Sequence, residues 1–140
     1  MENVKKNKTL FCGGTCNGST WRDQLIPLLK NIDAFNPVVK DWTPECQIKE
    51  VEARQTSDYV LYVITPKMTG FYSIAELVSD SHVRPDKTLF CYLVDDDGQV
   101  FDKHQVKSLL ATSKLVVANG VKSFNNLVEL ADYLNAQAYN

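Results

Sequence analysis

Ser57–Leu77, SDYVLYVITPKMTGFYSIAEL, decides the fold. Tyr59 to Thr65 is an unbroken run of Val, Leu, Ile and Tyr ending in Thr, the composition of a strand covered on both faces rather than an alternating edge strand. Pro66 and Gly70 mark a turn after it, and a helix is expected to open near Ser73. Glu76 falls in the first turn of that helix. Ligands of open parallel α/β sheets bind at the carboxyl ends of strands, where loops lead into helix N-termini, so Glu76 is the first candidate for chemistry. A second reading competes: Ser73-Ile74-Ala75-Glu76 has the S-x-x-E spacing of a capping box, which alone accounts for both polar residues.

On the N-terminal side, Thr9–Cys12 reads as a short apolar strand ending in Gly13-Gly14. A helix follows, with Ser19 or Thr20 as N-cap and Asp23 at capping-box spacing from Thr20; Pro27 should kink it or end it early. Ala34–Val39 is a weaker strand, broken by Asn36-Pro37 and suited to a sheet edge. Thr43-Pro44-Glu45 opens a helix running to about Gln55, with Glu45–Lys49 and Glu50–Arg54 as supporting pairs and Ile48 and Val51 toward the core.

On the C-terminal side, the Glu76 helix should stop before Arg84-Pro85. Leu89–Val94 is a second buried strand, followed by the acidic turn Asp95-Asp96-Asp97-Gly98. A helix over Lys103–Leu110, a short strand at Leu115–Ala118, a turn at Asn119-Gly120 and an amphipathic helix over Phe124–Ala136 close the chain. Five strands alternating with five helices predict an α/β, Rossmann-like three-layer sandwich around a parallel sheet of order 2-1-3-4-5. The switch point then lies between the strands ending at Gly13-Gly14 and at Thr65-Pro66, so the glycine loop and Glu76 face one crevice.

The 140 residues fit one domain over 1–140, with residues 1–8 a polar tail. The net charge of −2 argues against a nucleic-acid partner, which would need a basic stripe; Lys5, Lys6 and Lys8 read as a solvated terminus. No apolar run approaches a membrane span and no signal peptide opens the chain, so no membrane partner and a cytoplasmic location are expected. Cys12 and Cys91 sit in strand runs as buried thiols, Cys16 and Cys46 near loop or helix ends. His82 and His104 stand far from any cysteine pair, so neither metal nor cofactor is expected.

Gly13, Gly14 and Gly18 allow close approach of backbone to a ligand, but the loop is neither G-x-G-x-x-G nor a lysine-bearing P-loop. Trp21 and Arg22, an aromatic beside a guanidinium, suit a ring-bearing polar or anionic ligand. Asp95–Asp97 raises a receiver-type acidic pocket, but Gly-Gly and Thr-Pro occupy the places where such a pocket needs acids, so a solvated turn is expected.

Together, FCGGTCNGSTWRDQLIPLL (11–29), FNPVVKDW (35–42) and the 57–77 stretch resemble the nucleoside 2-deoxyribosyltransferase-like proteins and, more distantly, the nucleotide N-glycosidases. The resemblance implies a flavodoxin-like fold and double displacement at an N-glycosidic bond of a nucleoside or nucleotide. It places the nucleophile on Glu76 and lines the pocket with Gly13, Gly14, Thr15, Trp21 and Arg22. It extends to Asp41, Trp42, Pro66, Gly70, Tyr72 and Ser73 as substrate-binding positions. The acid assisting the base falls on Glu50, with Asp41 or Glu52 as alternatives. Met68-Thr69 and Leu77 depart from the family pattern, which has a sugar-binding Asp and a Gly there. Ser73 could take a sugar hydroxyl or a phosphate, and either water or a second base could accept the sugar. The resemblance also implies a homodimer or larger homo-oligomer, with Phe71 and Tyr72 beside the site. Two other readings stand against an enzyme: a non-catalytic nucleotide-binding module, and an interaction domain in which Glu76 only caps its helix. A capping Glu should be exposed, whereas a nucleophile should lie on a pocket wall.

Overall fold

The computed structural model describes residues 6–16, 18–39 and 41–138. Positions 1–5 of the expected tail lie outside the described residues. Lys8, placed in that tail by the sequence, instead begins the first strand, its Nζ donating to Gln137 O at 2.9 Å.

The sheet is built outward from β3 (Tyr59–Ile64), in which Val60 to Ile64 are buried. β1 (Lys8–Gly14) and β4 (Thr88–Tyr92) flank it in parallel, with Leu61 opposite Cys12 on one side and Leu89 on the other. β2 (Ile32–Phe35) adds to β1, and β7 (Lys122–Phe124) adds to β4. All four pairings are parallel, and the order β2-β1-β3-β4-β7 is the expected 2-1-3-4-5 of a flavodoxin-like fold.

Alternate residues of each strand face opposite sides. Leu10, Cys12, Leu61, Val63, Leu89 and Cys91 pack with Trp21 and Leu25 of α1 (Trp21–Leu25) and with the stripe of α5 (Leu127–Gln137). Phe11, Val60, Tyr62, Ile64 and Phe90 pack on the other side with Leu77 of α3 (Tyr72–Val83) and Leu109 and Val116 of α4 (Lys103–Ala118). α2 (Pro44–Thr56) buries no residue completely. Ile48 is 66% exposed and Val51 48%, contrary to their expected place toward the core; Ala53 is the residue of α2 that packs against it.

Several boundaries differ from the sequence reading, each for a local reason. α1 spans only five residues before a single 3-10 turn (Ile26–Leu28) that contains Pro27, so the proline ends the helix. Thr20 precedes α1 without capping it; its Oγ1 accepts from Gln24 Nε2 at 2.9 Å. Thr43 does cap α2, accepting from the Cys46 N–H. The second strand ends at Phe35, ahead of Asn36-Pro37. Leu115–Ala118 is the last turn of α4 and no strand: Leu109 and Val116, seven residues apart on one face, are held against the sheet. The fifth sheet strand is Lys122–Phe124, after the Asn119-Gly120 turn, and α5 starts later, at an Asn126 cap that accepts from Glu129 N–H. The acidic segment forms a hairpin of β5 (Asp95–Asp96) and β6 (Gln99–Val100), with positive φ at Asp97 and Gly98, as in a type I′ turn. Asp96 is buried there, where a solvated turn was expected. No helix of the described residues is long and apolar enough to cross a membrane.

Candidate active site

The crevice opens where β1 and β3 end and their connections diverge. β1 finishes in Gly14 at φ +117°, and a Cβ built there would lie 2.0 Å from the Val63 carbonyl oxygen. Only glycine lets β1 run this close to β3. Thr15 N–H then donates to Val63 O at 2.8 Å, and Thr15 Oγ1 accepts from Thr65 N–H at 3.0 Å, so the loop start is pinned to the central strand.

Trp21 and Arg22 hold the loop from behind. Trp21 Nε1 and Arg22 Nη1 both donate to Thr15 O at 2.8 Å, Arg22 Nε donates to Cys12 O at 3.0 Å, and the guanidinium lies 4.3 Å from the Trp21 ring centre. Both side chains are buried and neither stands on the cavity wall, where the sequence reading put them. The reason is the loop itself: its inward carbonyls need donors away from water. Gly13 is likewise packed inward, against the rings of Phe11 and Tyr62. The outer part of the loop is tied to the acidic hairpin by Ser19 Oγ donating to Asp96 Oδ2 at 2.6 Å and by Lys67 Nζ bridging Gly18 O and Asp97.

In front of the loop lies a cavity of about 310 Å³. Gly14, Thr15 and Cys16 form one wall; Gly70, Tyr72, Ser73 and Glu76 form the opposite one, and Glu50 reaches in from α2. A second cavity of about 270 Å³ adjoins it, shares Glu50, Tyr72 and Glu76, and is completed by Trp42, Gln47 and Arg54. Pro66 lies in the turn leading to α3, off both walls; Asp41 and Glu52 are exposed and also off them. Of the carboxylates considered for proton transfer, Glu50 is the one brought together with Glu76.

Glu76 is no cap. α3 begins at Tyr72 with Phe71 as N-cap and no side-chain cap bond, which puts Glu76 one turn inside the helix. Its side chain is 17% exposed and pairs with Arg54 Nη1 at 3.2 Å. Burial pushes the Glu76 carboxyl above the usual carboxylate range; Arg54 opposes that, and the neighbouring Glu50 and Asp80 add to it. Glu50 is also raised by burial, against the pull of Arg22 and Arg54. Two half-buried carboxyls with raised pKa values in one cavity can divide the tasks of nucleophile and proton donor.

Sequence reasoning missed the cluster behind Glu76. Arg54, read as an i,i+4 partner of Glu50, turns instead to α3: Nη2 meets Asp80 Oδ1 at 2.9 Å and Nε donates to Asp80 Oδ2 at 3.1 Å. Asp80 is 1% exposed and also accepts from Tyr62 Oη at 2.6 Å, with Arg84 Nε at 3.5 Å. Two signals were available: Asp80 lies four residues from Glu76 on the same helix face, and a tyrosine in a buried strand needs a partner for its hydroxyl.

A doubly wound parallel sheet with a charged crevice at its switch point defines the class: an α/β protein of flavodoxin-like fold. A family model described as nucleoside 2-deoxyribosyltransferase like matches residues 7–93, more than half of the chain, and the chain belongs to that family. The matched span carries the glycine loop, Glu50, Arg54, Glu76 and Asp80. Comparison with curated proteins gives no match.

Proposed function

We propose that this chain cleaves or transfers the N-glycosidic bond of a nucleoside or nucleotide, with Glu76 as nucleophile and Glu50 as the proton-transferring group. The observation that carries the reading is that these two carboxyls line the same cavity, at the end of the central strands. In the first step a Glu76 carboxylate oxygen bonds to the anomeric carbon while the carbon–nitrogen bond breaks. The bond's electron pair leaves with the base, which takes a proton from Glu50. In the second step water or a second base attacks the anomeric carbon, Glu50 accepts the incoming proton, and the ester bond breaks to restore the Glu76 carboxylate. The raised pKa of Glu50 suits it to arrive protonated. The Arg54 contact favours the ionised form of Glu76.

The Thr15 and Ser73 hydroxyls and the Gly70 backbone offer polar groups for the sugar, and Tyr72 and Trp42 offer rings for the base. A homodimer or larger assembly belongs to the same reading, because Phe71 (74% exposed), Tyr72 (75%) and the α2 residues Ile48 and Val51 leave an apolar surface beside the crevice.

The test is incubation with a panel of nucleosides and 5′-monophosphates, alone and with a free acceptor base, and chromatography for released or exchanged base. Glu76→Gln keeps the side-chain shape and should lower the rate by on the order of 10²–10³ or more while ligand binding persists. Normal turnover by that variant refutes the mechanism. Ligand binding by the wild type without turnover on any substrate would favour the non-catalytic binding module.

A further inference from the structure

We propose that Arg54 is the positioning residue of Glu76: Asp80 grips its guanidinium along one edge, leaving Nη1 to hold the Glu76 carboxylate at the boundary of the two cavities. Arg54 presents Nε and Nη2 to the two oxygens of Asp80, at 3.1 and 2.9 Å, the bidentate geometry that fixes the plane of a guanidinium. Asp80 cannot swing away, because Tyr62 Oη holds Oδ2 at 2.6 Å and Arg84 Nε stands 3.5 Å from Oδ1. Arg84 also donates from Nη1 to the Arg54 carbonyl oxygen at 3.0 Å, tying the end of α3 to α2. With two nitrogens engaged, the third points at Glu76 Oε2, 3.2 Å away.

The consequence is electrostatic as well as geometric. The charged and titratable groups facing Glu76 are Arg54 and Glu50 from α2, Tyr62 from β3, Asp80 on its own helix, and Cys16 across the cavity. Arg54 is the cation among them. Burial by itself would lower the Arg54 pKa, but the hydrogen bonds to Asp80 and the surrounding charges raise it, so the guanidinium stays charged. An opposite charge at this range lowers a carboxyl pKa by about 1–3 pH units. Without Arg54, Glu76 would face burial and two other carboxyls with no cation paired to it, since Arg84 lies on Asp80. A lysine could restore the charge but not the fork, since its ammonium is a single point on a flexible stem.

The catalytic part of this inference rests on Glu76 being the nucleophile; its ionisation part does not, and the experiment separates them. Full-length protein labelled with carboxyl ¹³C-glutamate is titrated by NMR, with the Glu76 signal assigned by its loss in Glu76→Gln. In Arg54→Met the Glu76 midpoint should rise by about 1 pH unit or more, and the acidic limb of any base-release profile should rise with it. In Arg54→Lys the midpoint should stay within about half a unit of wild type while kcat falls about tenfold with KM little changed, the mark of lost orientation. An unchanged Glu76 midpoint in folded Arg54→Met overturns the inference. If Arg54→Met does not fold, Arg54→Lys decides: a Glu76 signal with wild-type shift and line width at every pH shows that the fork does not position the carboxylate, and a displaced or broadened signal supports it. Absence of base release by the wild type counts against Glu76 as nucleophile and leaves the NMR outcome standing.

Discussion

Replacing Gly14 with alanine tests whether the crevice is shaped by the sheet or by space reserved for a ligand. From sequence alone the glycines of this loop suggest close approach of backbone to ligand. The structure directs the missing side chain elsewhere: a Gly14 Cβ would meet Val63 O, N and C at 2.0, 2.5 and 2.8 Å, all backbone atoms of the central strand. None can move without parting β1 from β3. The φ of +117° adds a conformational cost, since non-glycine residues rarely adopt it. Backbone strain of this kind costs about 1–3 kcal/mol and forced overpacking about 1–3 kcal/mol more. If the strands separate at Thr15, its bonds to Val63 O and from Thr65 N–H weaken as well, at about 1 kcal/mol each. The expected loss is therefore about 2–6 kcal/mol, and about 4–8 kcal/mol if both bonds go with it, a large share of the roughly 5–15 kcal/mol that stabilises a typical domain. Gly18 is the control: its φ is +68° but a Cβ there meets nothing within 4 Å, so Gly18→Ala should cost only about 1–2 kcal/mol. Urea denaturation of the two variants measures both values. A Gly14→Ala protein within about 1 kcal/mol of wild type would refute the reasoning, and one that folds normally yet fails to bind would restore the view that the position is kept clear for a ligand.

Two further outcomes follow from the charges and the surface. Glu50 has a folded-state pKa above its ordinary value of 4.5, so the folded protein holds its proton more tightly, and this contribution to stability is lost as pH rises through the raised value. Glu50→Gln should thus gain stability relative to wild type between pH 4 and pH 7 in parallel urea melts, and a difference that is flat or falls with pH would contradict the burial assigned to it. Light scattering should give at least twice the monomer mass at working concentration, with Ile48→Lys in α2 shifting it toward monomer; a wild-type monomer would remove the apolar surface from the argument.

How much was legible in the sequence follows from where the signal was local. β3 and β4 are continuous apolar runs, and the glycine pair at the end of β1 marks a close backbone approach, so the sheet order and the switch point could be read. Leu115–Ala118 misled because a β-branched pair inside a short window looks like a strand; the helical register is set by Leu109 and Val116 together, over a longer span. Ser73–Glu76 misled in a related way. The capping-box spacing is real, but α3 starts one residue earlier, behind Phe71, and Glu76 is drawn inward by a partner on another helix. Arg54 was visible only as a neighbour of Glu50 along α2, and nothing in spacing tells that its guanidinium crosses to Asp80. Trp21 and Arg22 were correctly placed at the end of the strand but on the wrong side of the loop, because the need of Thr15 and Cys12 carbonyls for donors appears only once the turn is built.

The charge balance of the cluster ties these features to the proposed reaction. Glu76 and Asp80 are four residues apart on one helix face, an arrangement that is unfavourable for two carboxylates by themselves. Arg54 and Arg84 offset them. Burial raises the Glu50 pKa, against the pull of Arg22 and Arg54. In the proposed first step the sugar becomes cationic as the base departs, and Glu50 gives up its proton at that moment. The new negative charge forms as the positive one develops, in the cavity that Glu76 also lines. In that reading a proton from Glu50 and a carboxylate at Glu76 meet charge that develops only as the bond breaks, which stabilises the transition state more than the ground state, the condition for catalysis rather than mere binding.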